Sequence, residues 1–296
     1  MSIPFLRDDP LPTGAVEELG RFGGTRLRRI RCGNPGAFTF LGTNTYLIGE
    51  GQGVAVLDPG PVDEAHHSAI LAALDGETVS HILVSHTHRD HSPGAAPLAA
   101  ATGARTAGFG PHQTPREAGG EGGDFSFSPD IVLADGDVLD GEGWRLTALH
   151  TPGHCANHLC FALEGGEALF SADHVMSWST SVVSPPDGDM AQYMAGLARL
   201  AARGETVFFP GHGAPLPQPA AFTRALLAHR EAREAALLAA LTDRPAPVEA
   251  LVPPLYGPAL EPRLRPAAAR SLLAHLIKLA EEGRAQQALD GWHRSG

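Results

Sequence analysis

The sequence contains almost no lysine and few cysteines, and both shortages exclude classes of chemistry. Lys278 is the only lysine, so a mechanism that needs a catalytic lysine or a Schiff base has one unpromising candidate. The three cysteines, Cys32, Cys155 and Cys160, do not make a disulfide framework. We therefore expect buried, reduced thiols.

Long apolar runs are also missing. Nowhere do about 18 apolar residues follow one another, so neither a membrane span nor a membrane partner is expected. The first residues have no basic segment ahead of an apolar stretch and are not predicted to be a signal peptide. A reducing cytoplasm is the expected location.

Charge is distributed unevenly along the 296 residues. Hydrophobic residues make up 43%, enough for a buried core, and 22 basic against 33 acidic side chains give a net charge of −11. Residues 1–215 hold 12 basic and 25 acidic side chains (−13), whereas residues 216–296 hold 10 and 8 (+2). The split predicts a main domain over residues 1–215, a long connecting helix over 216–244 and a small C-terminal domain over 245–296.

Short apolar runs alternate with helical patterns, which indicates a layered α/β domain. Strands are predicted at residues 45–48, 54–57, 81–84, 144–149, 158–163, 167–170 and 206–209. Helices are predicted at residues 63–75, 190–202, 222–241, 248–256 and 266–282. Residues 104–130 are rich in Gly and Pro and are predicted to be an irregular insertion.

A histidine-rich segment follows the strand predicted at residues 81–84. Imidazole and carboxylate groups are ligands that suit Zn, and also Fe or Mn. In an extended segment alternate residues project to the same side, so His86 and His88 can share a metal ion. A turn at Arg89 can then direct Asp90 and His91 toward a second ion.

Three further candidate ligands lie downstream, each in a turn after a strand. They are His154 in Thr-Pro-Gly-His, Asp173 in Phe-Ser-Ala-Asp, and His212 in Pro-Gly-His-Gly. The small and rigid residues around them direct the backbone so that a side chain is presented at a strand end. Their order after the first cluster makes the pattern specific.

This motif set resembles that of the metallo-β-lactamase superfamily over about residues 37–215. The resemblance implies a four-layered αβ/βα sandwich with a dinuclear metal site, two Zn²⁺ or alternatively Fe or Mn. It assigns three ligands to the first metal, His86, His88 and His154. It assigns three to the second metal, Asp90, His91 and His212. Asp173 is then expected to bridge both metals, and Asp58 to orient a ligand histidine from behind.

Further segments resemble the lactamase-like protein 2 group, whose members carry a small winged-helix-like C-terminal domain. They include Leu-Gly-Thr-Asn-Thr-Tyr-Leu-Ile at residues 41–48, Ala-His-Arg-Glu-Ala-Arg-Glu at 228–234 and a long match at 272–283. Ala172 replaces the glycine usual before the bridging Asp. The segment after Gly283 is rich in Ala and Gln rather than β-branched residues, so its composition does not predict a wing.

The expected activity is metal-dependent hydrolysis, in which a hydroxide shared by two metals attacks a carbonyl carbon or a phosphorus. Asp90 and Asp173 are the candidate catalytic residues, which orient the nucleophile and carry its proton. His158, His229 and Arg230 are candidate substrate-binding residues. The substrate is expected to be a small ester or thioester, or single-stranded RNA. The alternatives are lactam hydrolysis of the β-lactamase type and a non-catalytic nucleic-acid-binding regulator with a vestigial metal site.

Overall fold

Two β-sheets form the centre of the structure, a computed structural model that describes residues 3–116 and 122–295. The first sheet contains, as successive neighbours, β1 (Val16–Phe22), β2 (Thr25–Arg31), β3 (Asn44–Ile48), β4 (Val54–Leu57), β5 (Val79–Leu83), β6 (Arg105–Gly108) and β7 (Ile131–Val132). The second contains, again as successive neighbours, β8 (Val138–Gly141), β9 (Trp144–His150), β10 (Leu159–Leu163), β11 (Ala168–Ala172), β12 (Val207–Pro210) and β13 (Leu216–Pro217).

Six α-helices lie among the described residues, together with a short 3₁₀ helix at Pro262–Leu264 and a C-terminal hairpin. The helices are α1 (Glu64–Leu74), α2 (Ala95–Thr102), α3 (Met190–Ala201), α4 (Pro219–Ala240), α5 (Val248–Tyr256) and α6 (Arg265–Glu281). The hairpin strands are β14 (Ala285–Ala288) and β15 (Gly291–Arg294). None of these helices is long and apolar enough to cross a membrane.

The two sheets face each other, and a helical layer covers the outside of each. Successive side chains of a strand point to opposite faces, so Tyr46 and Ile48 enter the core between the sheets. Leu47 points outward and packs in the cluster that contains Ile70 of α1 and residues of α2. On the other side, Cys160 of β10 packs beneath α3 and α4. This arrangement confirms the predicted four-layered αβ/βα sandwich.

The C-terminal part has a hydrophobic core of its own, to which α4 contributes Leu237. α5, α6 and the β14–β15 hairpin supply the rest, and Trp292 of β15 is 5% exposed. Ala246 and Trp292 exchange two backbone hydrogen bonds of 2.9 and 2.8 Å. A Cβ atom on Gly291 would lie 2.3 Å from the backbone of Ala246, so the close approach of these two backbone segments requires glycine. The wing hairpin does form, and a non-local contact joins it to the segment before α5, which its composition did not predict.

The hairpin of β1 and β2 has no counterpart in the sequence predictions. Its second strand reads Thr-Arg-Leu-Arg-Arg-Ile-Arg, and charged side chains rarely fill a sheet. Here Arg29 is 1% exposed and forms ion pairs with Asp9 at 2.8 Å and Glu17 at 2.7 Å. Arg28 similarly meets Glu77 at 2.6 Å. Acidic partners distant in sequence make these burials possible.

Most other predicted elements form within a few residues of their expected bounds, whereas α2, β6, β7, β8 and β13 were not predicted. The predicted insertion at residues 104–130 contains β6 and is otherwise irregular where described; residues 117–121 lie outside the described residues. All three cysteines are buried and unpaired, as expected. Burial raises the pKa of the Cys160 thiol to about 12, so it stays protonated.

Glu234 of α4 joins the connecting helix to the C-terminal core. Its carboxylate lies 2.8 Å from Lys278 Nζ of α6 and 3.1 Å from Arg284 Nη1 before β14, with His275 Nδ1 at 3.7 Å. Contact with His275, then with Lys278, outweighs burial and lowers the pKa of Glu234 to about 2. This ionised carboxylate stabilises the packing of α4 against α6 and the hairpin.

Replacing Glu234 by Gln removes this charge, and we expect the free energy of unfolding to fall by about 1–3 kcal/mol at pH 7. The lowered pKa means that the stabilisation is complete above the ordinary carboxyl pKa and is lost as pH falls toward about 2. The difference in the free energy of unfolding between wild type and E234Q should therefore be about 1 kcal/mol smaller at pH 4 than at pH 7. Urea unfolding at both pH values measures this difference, and Glu231→Gln, at an exposed position of the same helix, is the control. A pH-independent difference would contradict the ion-pair explanation.

Candidate metal centre

The predicted ligands all follow strands, and the sheet topology brings these strand ends to one edge of the sandwich. In the first sheet β4 and β5 are parallel, so Asp58 and the segment from Ser85 to His91 leave the same end. In the second sheet β11 and β12 are parallel and lead to Asp173 and His212. The Asn44 side chain donates to Pro210 O and Gly213 O at 3.0 and 2.8 Å, which joins the two sheets at this edge.

The first donor cluster consists of three imidazoles. His88 Nδ1 lies 2.9 Å from His86 Nε2 and 3.0 Å from His154 Nε2. His154 Nε2 also lies 3.5 Å from Asp173 Oδ2. His86, His154 and Asp173 offer donor atoms that all lie within 4.8 Å of one another.

The second donor cluster consists of two imidazoles and a carboxylate. Asp90 Oδ2 lies 3.4 Å from His91 Nε2 and 3.2 Å from His212 Nε2. The two imidazole nitrogens are 3.3 Å apart, and Asp173 Oδ1 lies 3.6 Å from His91 and 3.5 Å from His212. The two oxygens of Asp173 thus face different clusters.

Groups behind the imidazoles orient them. His154 Nδ1 donates to Val182 O at 2.6 Å and His212 Nδ1 donates to Gly42 O at 3.2 Å, so in both rings Nε2 faces the centre. Asp58 Oδ2 lies 3.0 Å from His91 Nδ1. Asp58 also accepts bonds of 2.7 Å from the backbone and hydroxyl of Ser85. Asp58 thus lies behind His91, between its ring and Ser85.

Other contacts support the backbone around Asp173. Ser181 Oγ donates to Asp173 O at 2.5 Å. His158 is fully buried, shares a hydrogen bond of 2.9 Å with the Thr151 hydroxyl, and accepts from the backbone N–H of Asp173 at 3.2 Å. The structure therefore places His158 behind Asp173 rather than on the cleft wall, in contrast to the predicted contact with substrate. Ala172 has φ +43°, a conformation that favours glycine.

The pKa values of the histidines are shifted in opposite directions in the two clusters. Burial, and then repulsion from His154, lowers the pKa of His88 to about 4, and burial likewise lowers the pKa of His86 well below its ordinary value. In the second cluster burial lowers the pKa of His212, but Asp173 and Asp90 outweigh it and raise the value to about 9. His91 is likewise raised well above its ordinary pKa. These imidazoliums compensate the carboxylates of buried Asp173 and half-buried Asp90.

A cleft of about 480 Å³ opens above the two clusters. Asp90, His88, His154 and Asp173 lie at its floor, and α6 of the C-terminal part contributes Ala267 and Arg270 to its wall. Phe38, Met176 and Val182 make another side of it apolar. Sequence reasoning missed these wall residues, because no motif marks them and only the tertiary fold brings them to the site.

The donor set fits divalent metal ions. Buried Asp173 Oδ1 makes no hydrogen bond within the described residues, although the Nε2 atoms of His91 and His212 lie only 3.6 and 3.5 Å away. His86 and His88 also form a group with the Cys155 thiol. Burial raises the pKa of that thiol well above its ordinary value, and a protonated thiol is a poor metal ligand. The His and Asp residues are thus the better ligands, and such a set accepts Zn, Fe or Mn.

Comparison with known proteins decides the family. The profile of the metallo-beta-lactamase superfamily matches residues 38–212, and that of the beta-lactamase-associated winged helix domain matches residues 248–292. The chain belongs to the metallo-β-lactamase superfamily. Its C-terminal part carries the beta-lactamase-associated winged helix domain, as its motifs led us to expect.

The chain is also similar to named superfamily relatives. The atrochrysone carboxyl ACP thioesterase AgnL7 of Paecilomyces divaricatus is 32% identical over 290 residues, which cover 93% of this chain and 84% of the relative. Lactamase-like protein adaB of Aspergillus niger is 32% identical over 220 residues, or 73% of this chain. That match spans 63% of adaB, less than two thirds of its length.

Solved structures of the superfamily share the fold. A beta-lactamase domain protein from Burkholderia ambifaria superposes with a TM-score of 0.81 at 22% identity, covering 97% of this chain and 95% of that one. A metallo-beta-lactamase family protein from Thermus thermophilus gives 0.72 at 25% identity, with 92% and 99% covered. Coverage this high means that both matches include residues of the C-terminal part.

We expect about two metal ions per chain after purification, and a loss of bound metal in His88→Ala and in Asp173→Asn, since each substitution removes donors from the centre. Elemental analysis measures the metal content, and circular dichroism checks that the fold is retained. The matched control is His67→Ala on α1, which should keep wild-type metal content. Full metal content in both site variants would refute the ligand assignment.

Proposed function

We propose that the protein is a metal-dependent thioester hydrolase whose centre is built from His86, His88, Asp90, His91, His154, Asp173 and His212. The observation that carries the proposal is the position of Asp173, whose two oxygens face two donor clusters at the floor of one cleft. The name of AgnL7, a thioesterase matched over 93% of this chain, supports thioesters as the substrate class.

Metal ions held by the two clusters, for which Zn²⁺ is our first choice and Fe or Mn the alternative, supply Lewis acidity and a nucleophile at neutral pH. The other tasks belong to the protein. Asp90 lines the cleft and its side chain is 28% exposed, so it can accept the proton of the attacking water. The water oxygen bonds to the carbonyl carbon, the C–S bond breaks, and the proton passes to the leaving thiolate.

Asp173 acts mainly by position. Its backbone is held by Ser181 and His158, and its carboxylate stays ionised because His212 and His91 outweigh the effect of burial and hold its pKa well below the usual range. A fixed, ionised carboxylate between the clusters keeps the donor atoms in place during the reaction and avoids a reorganisation cost.

The cleft and the charges favour a thioester over RNA. The apolar side chains of Phe38, Met176, Val182 and Ala267 suit an acyl group. The surplus of 13 negative charges in residues 1–215 opposes a polyanion. We place the enzyme in a reducing compartment such as the cytoplasm, because its three cysteines are unpaired.

The substrate class is tested by assaying the metal-loaded protein with an acyl N-acetylcysteamine thioester, single-stranded RNA and a chromogenic cephalosporin. We expect turnover of the thioester to exceed the other two by at least about 100-fold per site. Asp90→Asn should reduce thioester kcat by about 100-fold or more because it removes both the proton acceptor and a donor of the second cluster. Exposed Asp243→Asn, in the linker after α4, is the matched control. Dominant cleavage of the cephalosporin, or of RNA with steep salt dependence, would overturn the proposal.

A further inference from the structure

A second cavity, which we call the side pocket, adjoins the metal cleft. It has a volume of about 210 Å³ and is lined mainly by apolar residues of both domains, among them Phe38, Trp178, Tyr256, Leu260 and Leu264. Phe38, Met176, Val182 and Ala267 line both cavities, so a substrate in the cleft can extend into the pocket. The pocket exceeds the roughly 150 Å³ of a cavity known to hold benzene.

Arg230 makes one wall of this apolar pocket positively charged. The residue is 4% exposed, and a charge buried to that extent is normally paired. It forms no ion pair with any described residue: Nη2 donates to Ser181 O at 2.5 Å and Nη1 to Ser271 Oγ at 3.2 Å. A guanidinium has five N–H groups, so these two bonds leave donors without a partner in the described structure.

No carboxylate among the described residues that line the pocket compensates this charge. The only other ionisable side chains among its described lining residues are His229 and Tyr256. Burial, and then the positive charge of Arg230, lowers the pKa of His229, which keeps that imidazole neutral near pH 7. The ring of Tyr193 lies 5.3 Å from the guanidinium carbon and helps the protein to tolerate the charge, but it does not neutralise it.

We infer that the side pocket binds the acyl part of the thioester and that Arg230 pairs there with a carboxylate at the far end of that acyl group. The inference rests on the proposed function for the identity of the bond that is cleaved. An apolar wall and one buried guanidinium together fit an ω-carboxyacyl chain or an acyl group that bears an aromatic acid. The preferred substrate class is thus a thioester of a dicarboxylic acid.

Arg230 has a structural connection as well, which the experiment must separate from binding. Its acceptor Ser181 O belongs to the residue whose hydroxyl supports Asp173 O, and its second acceptor Ser271 lies on α6. Loss of Arg230 could therefore displace Asp173 and lower the turnover of every substrate by one common factor. Loss of carboxylate binding lowers only the turnover of substrates that carry the carboxylate.

The test compares kcat/KM for pairs of N-acetylcysteamine thioesters of graded chain length, each pair consisting of an n-alkanoyl and an ω-carboxyalkanoyl compound. We expect the wild type to prefer the ω-carboxy compound by at least about tenfold at the best length, and Arg230→Met to bring this ratio close to one. The matched control is Arg224→Met, on the same helix, which should keep the ratio. Equal rates for both compounds in the wild type at every length would overturn the inference while the thioesterase activity stands.

A second variant covers the case in which R230M does not fold. Ser271→Asp places a carboxylate of the protein beside Arg230 Nη1, which supplies the missing counter-ion and should abolish the preference. A ratio unchanged in S271D, or a fall of both rates by one factor in R230M, would assign Arg230 a positioning role only and refute carboxylate binding.

Binding is measured independently of turnover with free dicarboxylates and their monomethyl esters. The diacid should bind the wild type more tightly than its ester in calorimetry, and S271D should remove the difference. This result would support the pocket assignment even if no thioester were hydrolysed, a case in which the proposed function alone fails. Tighter binding of pantetheine 4′-phosphate than of any dicarboxylate, if lost in S271D, would instead assign the pocket to the carrier arm and overturn the inference.

Discussion

The site depends on the burial of one carboxylate, that of Asp173, between two sets of imidazoles. An ionised carboxylate is costly to bury, and this one is 5% exposed. The protein compensates it with the positive charge shared by His91 and His212, and it holds the backbone on both sides through Ser181 and His158. Ala172, the residue before Asp173, has a left-handed backbone conformation that turns the chain at the end of β11.

The C-terminal domain completes the site rather than standing apart from it. Helix α6 contributes Ala267 and Arg270 to the wall of the cleft, and its Ser271 accepts a hydrogen bond from Arg230. Arg230 in turn reaches the Ser181 carbonyl, so a contact between the domains lies two hydrogen bonds away from Asp173. The cluster around Glu234 holds α4 against α6 and the wing. Arg230, which we propose to select the substrate, and Glu234, which holds the domains together, are thus neighbours on one helix.

Sequence patterns predicted elements well where hydrophobic alternation and helix caps were strong. Asp63 caps α1 as the acidic helix start indicated, and the bounds of β4 and α5 were predicted correctly. Patterns failed where burial depends on distant partners. The buried arginines of β2 form ion pairs with Asp9, Glu17 and Glu77, and the wing is joined to the segment before α5 by the pairing of Trp292 with Ala246. Local composition contains neither relationship.

By itself the sequence determined the donor chemistry, since the His and Asp residues, their spacing and the small residues beside them all lie in short local segments at strand ends. Only the tertiary structure decided how those donors group, because the parallel strand pairs of two separate sheets must first meet at one edge. It also decided that His158 lies behind Asp173 and that Arg230 is buried without a carboxylate partner among the described residues. Burial and pairing are properties of neighbours far apart in the chain, so spacing along the sequence cannot reveal them.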